Sequence, residues 1–128
     1  MNIHFLKERA EDFLRDAKFA ISEKRWNSAA FYLEQVCQFY LKYFLFRKLK
    51  DFPKIHDLEE LLSELTKVYG RKEEIEKFKK ENASSISALT QAYITARYLP
   101  IEFSANQVRE MEKFTQRLIK FLNKLCQK

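Results

Sequence analysis

The stretch from Trp26 to Lys50, WNSAAFYLEQVCQFYLKYFLFRKLK, contains no Gly or Pro and repeats apolar residues at steps of three and four. Trp26, Ala29, Ala30, Leu33, Val36, Cys37, Tyr40, Leu41, Phe44 and Leu45 fall on one stripe of a helix. Tyr32, Phe39, Tyr43 and Phe46 add a second apolar face. A helix apolar on two faces is buried on two sides. The segment therefore predicts the spine of a helical bundle. In so small a chain, its second side points to another subunit.

Working outward, Asn2 is placed to cap a first helix with Ile3, Leu6, Ala10, Phe13, Ala17 and Ile21 inside. After the spine, Asp51-Phe52-Pro53 breaks the pattern, because a residue before Pro avoids helical geometry. A third helix reads Leu58, Leu61, Leu62, Leu65, Val68 and Tyr69, with Asp57 as N-cap and Gly70 as C-cap. A charged stretch from Arg71 to Glu81 follows, with Ile75 and Phe78 as its apolar residues. Ile86, Leu89, Tyr93 and Ala96 mark a fourth helix that ends before Pro100. Ser104 and Gln107 have capping-box spacing and open a fifth, with Val108, Met111, Thr115, Leu118, Leu122 and Leu125 inside. No strand-like alternation persists and no repeat appears. The fold class is all-α, an antiparallel up-and-down bundle of four to five helices.

The 128 residues suit one domain, 1–128, with one hydrophobic core. One Gly and two Pro exclude the turn-rich sandwiches and barrels. Apolar runs are too short for a membrane span, and the N-terminus carries acids and no signal-type apolar core, which predicts a cytoplasmic protein. Cys37 and Cys126 both fall on apolar helical faces and read as buried free thiols. Two histidines without ligand spacing predict no metal, and nothing in the sequence calls for a cofactor. The net charge of +6 favours anionic partners.

Four groups of residues could carry chemistry. Arg109, Lys113, Arg117, Lys120, Lys124 and Lys128 line one face of the last helix, a cationic rail with roughly 6 Å between steps. An ordinary solvated face gives the same pattern. Arg47, Lys48, Lys50 and Lys54 surround the turn that leads to His56, an imidazole able to exchange a proton near neutrality. Arg97 and Tyr98 end the fourth helix about one turn after Tyr93, where a planar fork and aromatic rings could take phosphate and base. Glu59, Glu60 and Glu64 read as a solvated acidic face.

Asn27-Ser28-Ala29-Ala30-Phe31, Leu41-Lys42, His56-Asp57-Leu58 and Ala96-Arg97-Tyr98, in this order across nearly the whole chain, resemble the HEPN domain. The resemblance implies a helical module of nucleotide or RNA chemistry, commonly dimeric and often linked to a separate minimal nucleotidyltransferase in toxin–antitoxin pairs. It points to nucleotide or phosphate binding by Arg97, Tyr98, His56 and Lys42, and the basic turn adds Arg47 and Lys54 to that expected site.

This chain departs from the family pattern at three points. Gln38 stands where an acidic residue often precedes the lysine by four positions. Leu99 intervenes between Arg97-Tyr98 and Pro100. The Arg-x(4–6)-His element of HEPN ribonucleases is absent, since eight residues separate Arg47 from His56. The expectation is a non-catalytic nucleotide- or RNA-binding module with no catalytic residues. The alternatives are a metal-independent ribonuclease built on Arg47 and His56, and a structural helical adaptor. A homodimer through Tyr32, Phe39, Tyr43 and Phe46 follows from the second apolar face.

Overall fold

The computed structural model describes residues 3–51 and 54–127 and is all-helical over them. Six helices follow in order: α1 (His4–Ser22), α2 (Trp26–Leu49), α3 (Leu58–Tyr69), α4 (Lys72–Glu81), α5 (Ala83–Tyr98) and α6 (Ala105–Leu125). The expected cap Asn2 and the breaker Phe52-Pro53 lie outside the described residues, and Ile3 holds the N-cap position of α1.

Helix α2 is the centre of the bundle and packs against α1, α3, α5 and α6. Its predicted stripe is buried from Ala29 to Leu45, with Ala29, Ala30, Leu33, Val36, Cys37, Leu41 and Leu45 fully inside and Trp26 half-buried at its start. The second apolar face differs from the expectation. Tyr43 and Phe46 are also buried within the chain. Phe39 and Tyr32 are half-buried against α1, where Phe13 stacks on Phe39 at 5.7 Å between centroids and meets Tyr32 at 5.9 Å. Helix α1 is amphipathic and has to bury its own stripe, so it covers the flank that two-sided burial had suggested for a partner.

The charged stretch 71–81 is the other difference, since it forms helix α4. Ile75 and Phe78, three residues apart, lie on one face and are both buried. Glu73 and Glu74 in the first turn and Lys79 and Lys80 in the last complement the helix dipole. Phe78 stacks on Phe121 of α6 at 4.2 Å, and Lys79 Nζ donates to Ser63 Oγ of α3 at 2.8 Å.

The expected caps are in place. Asp57 accepts from the backbone of Glu59 and Glu60, and Gly70 closes α3. Ser104 and Gln107 exchange both capping-box bonds, at 3.1 and 2.8 Å. Cys37 and Cys126 are free and buried, and burial pushes the Cys37 thiol up to about 12. Among the described residues, no helix is long and apolar enough to cross a membrane.

Candidate functional site

Glu34, Gln38 and Lys42 stand at successive four-residue steps of α2, so their side chains share one flank. That flank meets the C-terminal turns of α5. Phe31, one turn before Glu34, lies 5.2 Å from the Arg97 guanidinium. The same guanidinium sits 4.6 Å from the Tyr93 ring and 4.7 Å from the exposed Tyr98 ring. Arg97 Nε donates to the Tyr93 carbonyl at 2.8 Å, holding the stem against the last turn of α5. A cation over three π faces is favourable, and the planar fork is left at an exposed position.

His56 reaches this cluster from the α2–α3 connection. Its ring stacks on Tyr93, with centroids 6.1 Å apart and planes at 13°. Its Nδ1 lies 3.1 Å from Lys42 Nζ. An ammonium can only donate, so Nδ1 accepts, and neutral His56 then carries its proton on Nε2. Lys42 is half-buried, and burial lowers its pKa while Glu34 opposes the shift. Lys54, two residues before His56, is exposed on the same connection.

Sequence reasoning did not single out Glu34. Its side chain is buried, and it accepts hydrogen bonds from Gln35 Nε2 at 2.8 Å and Gln38 Nε2 at 2.5 Å. Burial pushes the carboxyl up to about 7, while the two amides and the charges of Lys42 and Arg97 pull it back. The available signal was its spacing, since it lies eight residues before Lys42 and so two turns back on one flank. Asn27 has an architectural part. Its Nδ2 donates to the Ile101 carbonyl and its Oδ1 accepts from Phe103 N, both at 2.8 Å. This clamp ties the α5–α6 connection to the start of α2, next to Arg97 and Tyr98.

Arg47 does not join the cluster. Five residues after Lys42, it projects from α2 at about 140° to it. There it lies over Phe44 at 5.3 Å and Tyr43 at 5.8 Å. The cation touching His56 is Lys42, and the Arg47–His56 pairing is not among the contacts of either residue. The rail on α6 is exposed, and three of its cations also make contacts within the chain. Arg109 covers the Trp26 ring, Lys113 pairs with Glu110, and Arg117 donates through Nε and Nη2 to Asn82 Oδ1. Lys128 lies outside the described residues. Among the described residues, no group of His, Cys, Asp and Glu could hold a metal.

Of the four rings expected at a dimer interface, Tyr43 and Phe46 are buried in the chain, and Tyr32 and Phe39 remain half-exposed. Tyr32 touches Phe31 at 6.0 Å, so the half-exposed rings run without a break from Phe39 and Phe13 to Arg97.

Comparisons with curated proteins and with solved structures found no match. The family model described as the HEPN domain matches residues 3–125. That match leaves only a few residues at each end outside it, and the chain belongs to the HEPN domain family.

Proposed function

We propose that this chain is a single HEPN domain, 1–128, that binds nucleotide or RNA through Arg97, Tyr98, His56 and Lys42 without cleaving it. Membership of the family supports a nucleotide- or RNA-related module. The observation that carries the reading is the Arg97 guanidinium set among Phe31, Tyr93 and Tyr98, with the His56–Lys42 pair one ring away. Cations take phosphate, and neighbouring π faces take a base. Lys54 adds long-range attraction from the same side of the domain.

The module works as a homodimer in the cytoplasm, with a small nucleotidyltransferase as partner in a toxin–antitoxin-type pair. The support for that pairing is the family resemblance. The support for the dimer is the half-exposed aromatic face of α2.

Titration of labelled single-stranded RNA and of adenine and guanine nucleotides tests the binding. Two phosphate contacts on a single strand give a salt slope near −1.4, or roughly a sevenfold loss for a fourfold rise in salt. Salt-independent binding, or none at millimolar ligand, favours a purely structural adaptor instead. The ribonuclease reading needs a poised imidazole and a cation at one phosphate. Cleavage abolished by both Arg47→Ala and His56→Ala would establish it and overturn the non-catalytic one.

A further inference from the structure

Glu34 is an acid placed inside a site built for anions. It is 1% exposed, and both hydrogen bonds it accepts come from neutral amides, those of Gln35 and Gln38. The two cations whose fields reach it are otherwise engaged. Lys42 meets His56, and Arg97 meets three rings and a carbonyl. Glu34 thus stands buried two turns before Lys42, on the flank of α2 that meets the Arg97 end of α5, and its direct partners are amides that carry no charge of their own. The amide of Gln38 donates more strongly to a carboxylate than to the carbonyl oxygen of a neutral acid, but it can bond either form.

We infer that Glu34 is a proton-linked internal competitor for the anion site. When neutral it leaves Lys42 and Arg97 to an incoming phosphate, and when ionised it shares their charge and weakens binding. Glu34 is thus a positioning residue that never touches the ligand, and it sets the pH at which the site accepts phosphate. This deepens the phosphate-binding reading and rests on it.

The sign follows from linkage. A phosphate next to Lys42 and Arg97 is a like charge for Glu34 and favours its neutral form, so binding takes up a proton. Burial already puts the carboxyl at about 7, where it is part-ionised at neutral pH. The titratable and charged groups around it are Cys37 and Lys42 on α2 and Arg97 on α5, with His56 one contact further through Lys42. Cys37, at about 12, does not titrate in this window. His56, in contact with Lys42, is the neighbour that a control variant has to separate from Glu34.

The test is affinity for a short single-stranded RNA without terminal phosphates, measured from pH 6 to pH 8.5 at fixed ionic strength. Its phosphodiesters keep their charge over this range, so only protein groups titrate. The expected result is on the order of tenfold weaker binding at pH 8.5 than at pH 6 for a partly screened unit charge. Glu34→Gln should flatten most of that dependence and bind at pH 8.5 nearly as well as at pH 6. The dependence should survive in His56→Gln. Calorimetry of the unmodified protein in buffers of different ionisation enthalpy supplies a reading that needs no variant, with proton uptake on binding near pH 7. A Glu34→Gln profile parallel to that of the unmodified protein, or zero proton uptake, overturns the inference while leaving phosphate binding intact. Absence of binding at every pH overturns both.

Discussion

Arg97 tests, at the scale of one side chain, whether charge or placement makes the site. Both it and Lys124 are exposed cations near helix C-termini, but only Arg97 sits in a ring of aromatic faces. Arg97→Ala should weaken RNA binding by tenfold or more, the loss of a charge-assisted contact. Lys124→Ala should change it by less than about twofold, the share of one charge on a partly committed rail. Equal losses in parallel titrations would return the site to α6. Glu34 makes a separate prediction about stability. Its carboxyl titrates near 4.5 in the unfolded chain and near 7 in the folded one. The native state therefore holds more protons between these values, and stability falls as pH rises through the window, levelling above about 7. Glu34→Gln removes this cost. It should match the parent near pH 4.5 and exceed it by up to about 3 kcal/mol at pH 8, read from urea midpoints. A constant difference across pH would show that the carboxyl stays ionised throughout.

At the scale of elements, the connections are where backbone geometry does the holding. The reversal from α3 to α4 is made by Gly70 at φ +73° and Arg71 at φ +58°. A Cβ at Gly70 would meet nothing within 4 Å, so any cost of substitution there is conformational. With ψ at −138°, the position lies outside the left-handed helical well that side chains tolerate best. Gly70→Ala should destabilise by about 1–3 kcal/mol, with α4 protection in hydrogen exchange falling first. A neutral effect would mean that the turn relaxes freely. The Asn27 clamp is the counterpart at the other end of the bundle. Asn27→Ala removes the partner of the exposed Ile101 carbonyl and of the part-buried Phe103 N–H, and should cost about 0.5–1.5 kcal/mol. It should also loosen exchange across residues 99–104 and weaken RNA binding through Arg97. Unchanged exchange there would make the clamp incidental.

At the scale of the whole molecule, the question is what meets the half-exposed rings. Phe39, Phe13, Tyr32 and Phe31 form one run across the outer side of α1 and α2. Aromatic rings are favoured at the centres of interfaces, and a two-fold axis through this run would bring two copies of the Arg97 cluster onto one particle. Sedimentation at tens of micromolar should give a dimer mass. Phe39→Glu with Tyr32→Glu should give a folded monomer, because both rings are only half-buried in one chain. Tyr43→Glu is the wrong probe, since that ring is buried and charging it would unfold the protein. A well-folded monomer of the unsubstituted chain would remove the dimer.

The period of three and four determined by itself that the chain is a bundle centred on Trp26 to Leu49, because a stripe that long has to be buried whatever lies beside it. The caps at Asp57, Gly70 and Ser104 were equally legible, since a cap is decided by residues a few positions apart. Arg97, Tyr98, His56 and Lys42 could be named from the order of their segments. Only the tertiary structure decided that Lys42, not Arg47, meets His56, because the outcome depends on which face of α2 the α2–α3 connection returns to. It likewise decided that Tyr43 and Phe46 are buried within the chain, since an apolar face does not say whether its cover comes from the same chain. Glu34 belongs to the same class. A carboxylate in sequence reads as solvated, and its burial follows from α5 packing over that turn, a contact between residues some sixty positions apart.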